Sequence, residues 1–358
     1  MPTVQPAGSR VLITGANGYI AMWIIRTLLE QGYSVRGVVR SLEKATKLKQ
    51  HFSSYGDKLE LIIIEDMMKA SARYDGAFDD AVKDVDAIEH TASPVTLSAV
   101  EPDDYIKPAL QGTLSVLKSA LHFGKKVKRI VITSSSAAIH RVITQPTHIF
   151  DETQWGDEAI EIVQEKGRDA PPMMKYKASK TLAEKAAWDF YNQHKNEVQW
   201  DLVVLHPPFV LGPSLQEVKT PESLNVSLEI FYNMLTQPNK SDEELKATYN
   251  FVDVRDVSKA HVEVLKNEKA AGERIILANG ASTWQDTRNY IHSLRPDLYA
   301  SGVLPRGNSD LDNPVLYIYN PEKGKKLLGL EYISKNEMIG DLLADFEARG
   351  WLKKPVDT

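Results

Sequence analysis

The sequence predicts an α/β fold, in which a doubly wound parallel sheet is joined to a smaller C-terminal α/β substrate domain. Two observations support this prediction. Over the first 206 residues, short runs of β-branched and aliphatic residues alternate with longer helical patterns, which is typical of βαβ units. The strand runs are apolar throughout instead of alternating with polar residues, as expected for strands that helices cover on both faces.

Six strands and five helices account for the N-terminal part of the chain. The predicted strands are Arg10–Thr14, Ser34–Val39, Leu59–Ile64, Asp86–Thr91, Arg129–Thr133 and Asp201–His206. The predicted helices are Gly18–Gln31, Leu42–Phe52, Ala77–Lys83, Pro102–Phe123 and Pro172–His194. The first helix ends near Gly32, a residue type that commonly terminates helices. Helices between successive strands predict right-handed crossovers and a parallel sheet.

The pattern becomes less regular after residue 206. We predict strands at Phe251–Val254 and Ile275–Ala278, a helix at Arg255–Lys266 between them, and an amphipathic helix near Lys335–Ala348. These patterns divide the chain into two domains. Residues 1–206 are predicted to form a Rossmann-type domain, to which the chain returns at about 251–280. Residues 207–250 and 281–358 are predicted to form the substrate-binding domain.

The composition excludes several classes of function. The 358 residues include no cysteine, so disulfides, thiolate catalysis and cysteine-ligated zinc are excluded. A formal net charge of −5 gives no general attraction to nucleic acid or to an anionic membrane, and neither is expected as a partner. The N-terminus has no basic segment followed by an apolar run, and the most apolar stretch, Ile20–Leu29, is too short to span a bilayer. We therefore expect a cytoplasmic protein.

No metal site is predicted from the histidines. His90, His140, His206 and His261 do not have the spacing of metal ligands, and the H-E-x-x-H pattern is absent. We expect each of them to be a structural or pocket residue.

A glycine-containing turn joins the first strand to the first helix. The segment Gly15–Ala21 has the spacing G-x-x-G-x-x-A, in which Gly15 permits a tight turn and Gly18 lets the backbone approach a pyrophosphate. The small Ala21 allows close packing of helix against strand, and the helix N-terminus offers unpaired N–H groups to an anion. The sequence therefore predicts a dinucleotide-binding loop, with the cofactor contacts at Gly15, Asn17, Gly18, Tyr19 and Ile20.

The end of the second strand indicates which dinucleotide is bound. Enzymes that use NAD usually place an acidic residue there to hold the ribose 2′-hydroxyl, whereas enzymes that use NADP tend to place arginine there. Here the strand is followed by Arg40, with Lys44 nearby. Because a guanidinium can grip a phosphate with two hydrogen bonds, we expect NADPH/NADP⁺ as the cofactor.

Three Tyr-x-x-x-Lys pairs occur in the chain, and their context separates them. They are Tyr176/Lys180, Tyr191/Lys195 and Tyr319/Lys323. Tyr319 is followed by Asn-Pro, which argues against a shared helical face. Tyr191 lies among polar residues at the end of its helix, and we expect it to be solvated. Tyr176 lies in the first turns of the same helix, before the small Ala178 and Ser179.

A row of hydroxyl residues ends the fifth predicted strand. Thr133 and Ser134–Ser136 should lie at the same sheet edge as the glycine turn, where ligands of open α/β sheets bind. A carbonyl that accepts hydride needs a hydrogen-bond donor and a proton source. Tyrosine can supply the proton if a cation such as Lys180 lowers its pKa, and a serine can hold the substrate oxygen.

Taken together, these motifs resemble the extended short-chain dehydrogenases/reductases. Within that family the sequence is similar to the dihydroflavonol-reductase-like branch, near the fungal NADPH-dependent methylglyoxal (3-methylbutanal) reductases and related aldehyde/ketone reductases. The resemblance covers nearly the whole chain. The matching stretches are VLITGANGYIA (11–21), VVRSLEKA (38–45), HTASP (90–94), ITSSSAA (132–138), YKASK (176–180), VLGP (210–213), ESLNVSLEIF (222–231), FVDVRDVSKAH (251–261) and KKLLG (325–329).

The resemblance implies roles for individual residues. The catalytic residues fall on Ser135, Tyr176 and Lys180, with Ser136 leaving the choice of serine open. The cofactor contacts beyond the glycine turn fall on Arg40, Lys44, Asp66, Met67, Thr91, Ala92, Ser93, Thr133, Tyr176, Lys180, Pro207 and Val210. His206 departs from the family pattern, in which Asn usually stands at this position, and the segment before Tyr176 lacks the N-W-Y-C run of cinnamoyl-CoA reductases.

The expected activity is NADP-dependent, reversible reduction of aldehydes and ketones to alcohols, with Tyr176 as the proton donor. Position alone suggests an apolar substrate pocket formed by Val95, Phe209, Asn225, Leu228 and Phe231. A small carbonyl compound is the expected partner, and the protein is expected to be a monomer or homodimer. Three alternatives stay open on the same fold: a 3β-hydroxysteroid dehydrogenase, a sugar-nucleotide epimerase and a non-catalytic NADP-sensing protein.

Overall fold

The computed structural model describes residues 3–68, 76–93, 99–143 and 147–353. Twelve strands occur in this part of the chain: β1 (Arg10–Thr14), β2 (Ser34–Val39), β3 (Leu59–Ile63), β4 (Ala87–His90), β5 (Arg129–Thr133), β6 (His148–Phe150), β7 (Asp201–His206), β8 (Phe209–Leu211), β9 (Thr248–Asp253), β10 (Arg274–Ile276), β11 (Ala281–Thr283) and β12 (Tyr317–Tyr319).

Twelve α-helices are found in the same residues. They are α1 (Tyr19–Glu30), α2 (Leu42–His51), α3 (Asp103–Phe123), α4 (Asp157–Lys166), α5 (Pro172–His194), α6 (Val226–Thr236), α7 (Asp242–Lys246), α8 (Val254–Lys266), α9 (Trp284–Leu294), α10 (Pro296–Ala300), α11 (Glu322–Leu328) and α12 (Lys335–Ala348). No helix in these described ranges is long and apolar enough to cross a membrane.

Seven strands form the main sheet, in the order β10-β7-β5-β4-β1-β2-β3, and every neighbouring pair is parallel. The chain winds outward from β1 to β3 and then returns to place β4 on the other side of β1. This reversal creates a crevice beyond the carboxyl ends of β1 and β4, which is where such sheets bind ligands. The predicted α/β fold with a doubly wound parallel sheet is confirmed.

Helices cover both faces of this sheet. Alternate residues of β1 point to opposite faces, because side chains alternate along a strand. Ile13 joins the core beneath α1 and α8, whereas Leu12 joins the core beneath α3 and α5. Both strand residues are fully buried, as predicted from the continuous apolar runs.

Two smaller sheets lie outside the main one. β9 pairs with β8 and with β11, and β12 pairs with β6. Of the two strands predicted within 251–280, the first therefore lies in a separate sheet, and only β10 joins the main sheet beside β7.

The helix predicted over Ala77–Lys83 is wrong, because this segment forms successive turns. The Val82 N–H donates to Phe78 O, but the next N–H, that of Lys83, donates to Asp80 O in a tighter turn. Asp84 then adopts a left-handed φ of 57°. Burial of Phe78 and Val82 explains the helix-like apolar spacing without a helix.

Candidate active site

A cavity of about 820 Å³ opens at the carboxyl-terminal edge of the main sheet. Its walls come from the segments that follow β1, β2, β4, β5 and β7, and from α5, α6, β9 and β12. The predicted site residues that line it are Gly18, Tyr19, Ile20, Arg40, Thr91, Ser93, Thr133, Ser135, Tyr176, Lys180, Pro207, Phe209, Val210 and Asn225. Residues far apart in sequence are thus brought together, because parallel strands end at one edge.

The glycine turn has the geometry that a bound phosphate requires. Gly15 has a φ of +66°, and a Cβ at this position would lie only 3.0 Å from the Ala92 Cα. Gly18 is the N-cap of α1 and makes no side-chain capping bond, and the first turn of α1 contains no acidic residue. The helix N-terminus therefore presents N–H groups toward the cavity without a protein anion to compete, which fits a pyrophosphate.

Tyr19 and Asn17, the other two polar residues predicted to contact the cofactor in this loop, form hydrogen bonds with other parts of the protein. The Tyr19 hydroxyl donates to Gly212 O at 2.8 Å, so the part of this residue available to a ligand is its backbone. The Asn17 carbonyl accepts a hydrogen bond from the Gln216 side chain at 2.8 Å, and Asn17 does not line the cavity. Gln216 lines the cavity, and this hydrogen bond ties its side chain to the glycine turn.

Arg40 lies at the mouth of the cavity, directly after β2. Its side chain is exposed and has no ion-pair partner in the described ranges. Lys44 lies in the first turn of α2, where Ser41 caps the helix by accepting from the Lys44 N–H. Both cations are available to a phosphate at this end. Asp66 and Met67 follow β3 outside the cavity wall, and the Asp66 carboxylate accepts from the Met68 N–H at 2.8 Å.

The segment after β4 packs against the glycine turn. The Thr91 hydroxyl donates to Thr14 O at 2.6 Å, and the Ala92 N–H donates to the Thr14 hydroxyl at 3.1 Å. Ala92 contacts a small neighbouring cavity instead of the large one. These bonds hold the segment beside the phosphate loop.

Tyr176, Lys180 and Ser135 lie together on the cavity wall. Tyr176 and Lys180 are one helical turn apart on α5, and the Lys180 Nζ lies 5.9 Å from the centroid of the tyrosine ring. The Ser135 side chain acts on Tyr176 to lower its pKa, and it accepts a hydrogen bond from the Ala137 N–H. Ser136 also lines the cavity, but it is buried, and its carbonyl accepts from the Tyr319 hydroxyl. The two serines thus differ in their partners, because the Ser135 side chain acts on Tyr176 and the Ser136 side chain acts on Tyr319.

Burial governs the ionisation of the tyrosine and the lysine. It raises the pKa of Tyr176, and the hydrogen bond from Ser135 acts in the opposite direction. Burial lowers the pKa of Lys180 to about 8, while the Glu184 carboxylate acts to raise it. The lowered pKa that we expected for Tyr176 is not what this site shows, because burial outweighs the opposing influence on the phenol.

Glu184, which acts on Lys180, is the centre of a buried polar network. The Glu184 carboxylate accepts from the Ser134 hydroxyl at 2.6 Å, and it pairs with His206 at 2.7 Å and with Arg274 at 2.7 Å. Burial alone would raise the pKa of Glu184, but His206, Arg274 and Ser134 together bring that pKa down to about 2. His206, the departure from the family pattern, thus has a defined partner.

The other three histidines are also held by hydrogen bonds. His90 Nδ1 bonds to the Thr14 hydroxyl at 2.9 Å, and His261 Nδ1 bonds to Glu89 at 2.6 Å. His140 Nδ1 bonds to the Tyr319 hydroxyl at 2.9 Å, and His140 lines the cavity. Burial lowers the pKa of His90 and of His140 to about 3, so both are neutral near pH 7.

The predicted substrate residues divide into three groups. Phe209 and Asn225 line the cavity. Leu228 and Phe231 do not; they are fully buried in the core on the inner face of α6, whereas Ser227 and Ile230 of the same helix face the cavity. The prediction for Leu228 and Phe231 failed because position alone does not tell which face of a helix is turned inward. Val95 lies outside the described residues.

Sequence reasoning missed several residues of the cavity wall. These are His140, Met173, Lys177, Gln216, Leu224, Tyr249, Asn250, Tyr317 and Tyr319. Tyr317 and Tyr319 lie on one face of β12, and their alternation in the sequence was a usable signal. Tyr191, expected to be solvated, instead packs on Trp200 with ring centroids 5.5 Å apart.

Comparison with known proteins supports the resemblance drawn from the motifs. A family model described as the NAD dependent epimerase/dehydratase family matches residues 11–278. A ketoreductase of Aspergillus niger is 34% identical over 341 residues, which are 93% of this chain and 96% of the relative. An NADPH-dependent methylglyoxal reductase of Saccharomyces cerevisiae is 31% identical over 349 residues, which are 95% of this chain and 99% of the relative.

A solved structure shows the same architecture. The crystal structure of a yeast methylglyoxal/isovaleraldehyde reductase complexed with NADPH has a TM-score of 0.83 and 29% sequence identity, and the match covers 96% of this chain and 99% of that one. The descriptions of these relatives agree with the expectation of an oxidoreductase that uses NADPH.

Proposed function

The chain belongs to the NAD dependent epimerase/dehydratase family, and we propose that it is an NADPH-dependent carbonyl reductase that converts aldehydes and ketones to alcohols. One observation carries this proposal. Tyr176 and Ser135 line the same cavity wall, with Lys180 one helical turn away, and the cavity extends to the N-terminus of α1. This arrangement supplies a proton and an oxygen-binding group beside a nucleotide site.

The residues present fit NADPH. The N-terminus of α1 would hold the pyrophosphate after the tight turn that Gly15 permits, and Arg40 with Lys44 would hold the 2′-phosphate. Bound at this site, NADPH supplies the hydride for reduction of the carbonyl carbon. Lys180 would hold the nicotinamide ribose. The remaining predicted contacts, including Asp66 and Met67 at the adenine end, are part of the same proposal.

The protein groups act on the carbonyl oxygen. Ser135 donates a hydrogen bond that orients this oxygen, and Tyr176 delivers its phenolic proton to it. Because burial raises the pKa of Tyr176, this tyrosine carries its proton at neutral pH and is ready to act as the acid. In the reverse direction the Tyr176 phenolate takes the alcohol proton, and a cationic Lys180 favours that phenolate.

The domain roles follow from the same reasoning. We propose that residues 1–206 bind the nucleotide, with a return at about 251–280, and that residues 207–250 and 281–358 supply the substrate-binding side of the cavity. Phe209, Asn225 and Tyr249 on that side give it a mixed aromatic and polar character suited to carbonyl compounds.

A panel of aldehydes and ketones tests the proposal. The fall in NADPH absorbance is followed for the wild type and for Tyr176→Phe, and each alcohol product is identified with its chirality. Turnover by the wild type that is lost in the variant is expected. NADPH binding without oxidation across the panel would instead support an NADP-sensing protein, and a preference for sterols or sugar nucleotides would support the dehydrogenase or epimerase alternatives.

A further inference from the structure

The charged residues that line the cavity are all cationic within the ranges the structure describes. They are Arg40, Lys177 and Lys180, and no aspartate or glutamate is among the described residues of the wall. Arg40 and Lys180 have roles in the proposed function, but Lys177 has none. A cavity with charges of one sign attracts ligands of the opposite sign.

Lys177 lies on the face of α5 that carries the catalytic residues. Met173, Tyr176, Lys177 and Lys180 all line the cavity, at the spacing of one helix face. Within the described residues the Lys177 ammonium has neither an ion-pair partner within 4.0 Å nor a hydrogen bond. The Glu158 carboxylate acts on it electrostatically, but this carboxylate accepts the Val142 N–H at 2.6 Å.

The lysine nevertheless keeps its charge near neutral pH. Burial lowers the pKa of Lys177 to about 8, and Glu158 opposes this lowering. A protonated ammonium that is partly removed from water without a partner is unfavourable, and an anionic ligand would offset this cost. The contrast with Lys175 of the same helix is informative, because the Lys175 ammonium donates to Val100 O and Arg168 O.

The position of Lys177 separates it from the phosphate-binding end. Its charge contributes to the low pKa of His140, which follows β5 and contacts Tyr317 and Tyr319 of the aromatic wall. Arg40 follows β2, and the sheet order places β2 three strands from β5. At about 4.8 Å per strand, these two strand ends are roughly 14 Å apart. Lys177 thus lies at the end of the cavity where we place the substrate, away from Arg40.

We propose that Lys177 is a specificity-determining residue that binds a carboxylate on the carbonyl substrate, so that the preferred substrates are oxo acids. This inference rests on the proposed function. Because Lys177 and Tyr176 line the same cavity from one helix, the proposed carboxylate lies within a few bonds of the carbonyl that Tyr176 protonates. A single ammonium among tyrosine side chains suits a monoanionic carboxylate better than a phosphate dianion, which needs more donors.

A matched pair of substrates tests this inference. The probes are 4-oxopentanoate and its methyl ester, which share a ketone and differ in charge. In Lys177→Met, kcat/KM for the acid relative to the ester should fall about 10-fold, mainly through KM, as expected for loss of a charge-assisted hydrogen bond. Lys177→Arg should restore most of the preference. Lys195→Met, which removes an exposed lysine at the end of α5, should leave the ratio unchanged.

Several results would overturn the inference. They are equal losses for acid and ester, an unchanged ratio, or a raised NADPH dissociation constant in Lys177→Met, which would assign the lysine to the cofactor. Calorimetric binding of 4-oxopentanoate to the protein with NADP⁺ tests the carboxylate site even without turnover. If the wild type reduces neither probe nor any other ketone, the proposed function fails, while Lys177-dependent binding of the acid still decides the carboxylate site.

Discussion

The Glu184 carboxylate lies one helical turn beyond Lys180 on α5 and acts against burial to raise the pKa of that lysine. It does so from a fixed position, because Ser134, His206 and Arg274 all bond to it. The three partners come from the ends of β5 and β7 and from β10. The sheet therefore holds an anion next to Lys180.

Glu184→Gln should shift the pH profile of ketone reduction. Removing the anion disfavours protonated Lys180, so the lysine pKa, about 8 in the wild type, should fall further. Activity that depends on the ammonium should then be lost at a lower pH on the alkaline side. The measurement is kcat/KM against pH, with Glu165→Gln, an exposed change on α4, as the control. If Glu184→Gln has a lower melting temperature but the same pH dependence of kcat/KM as the wild type, Glu184 has only a structural role.

Tyr176→Phe should lower turnover by about 100-fold or more, because general acid catalysis is lost while the ring remains. Affinity for NADPH should persist, as a titration of cofactor fluorescence can show. Tyr191→Phe is the matched control on the same helix, since Tyr191 packs on Trp200 in the core away from the cavity. Comparable losses in the two variants would contradict the assignment of Tyr176.

Ser135→Ala should lower turnover by about 100-fold, the usual effect of removing one donor to a developing oxyanion. The NADPH dissociation constant should stay near that of the wild type. Ser136→Ala should be milder, because Ser136 is buried and acts on Tyr319 instead of Tyr176. Steady-state kinetics of both variants with one ketone decide between the two serines, and a larger loss in Ser136→Ala would reverse the choice.

The sequence predicted the sheet and the joint position of Tyr176 and Lys180 because both depend on local patterns. The central strands β1, β5 and β7 are largely buried and apolar, and Tyr176 with Lys180 lies on one helix face. What it could not predict depends on contacts between distant segments. On α6, Leu228 and Phe231 pack into the core, whereas Ser227 donates to Val210 O.

The hydrogen-bond partners of buried residues could not be predicted from the sequence either. Nothing near His206 indicates that it pairs with Glu184, since α5 and β7 meet only in the folded protein. The aromatic wall at Tyr317 and Tyr319 is formed by a strand that pairs with β6, far away in the chain. Tyr319 was set aside as part of a chance Tyr-x-x-x-Lys match, yet it contributes to the cavity.

Arg40→Ala should weaken NADPH binding by about 10- to 100-fold and change NADH binding much less. The physical reason is that the exposed guanidinium after β2 has no ion-pair partner in the described ranges and is available to a 2′-phosphate, which NADH lacks. Dissociation constants for both cofactors, measured on both proteins, give the comparison. A wild type that prefers NADH would refute the cofactor assignment.

Lys180→Met tests how the lysine acts, since two effects are expected together. The dissociation constant for NADPH should rise about 10-fold, because a ribose hydroxyl would lose a charged hydrogen-bond donor. Alcohol oxidation, which needs the Tyr176 phenolate, should also require a higher pH than in the wild type. Burial already raises the pKa of Tyr176, and removing a positive neighbour can only make ionisation of the phenol harder.

The same variant distinguishes a catalytic from a merely structural lysine. Methionine retains most of the apolar stem, so the packing around the buried Lys180 side chain should survive, as a thermal melt can show. An unshifted pH profile with unchanged NADPH affinity would mean that the 5.9 Å approach of the ammonium to the tyrosine ring has no catalytic consequence. A shifted profile with unchanged affinity would instead confine the lysine to the ionisation of Tyr176, and leave the ribose to other residues.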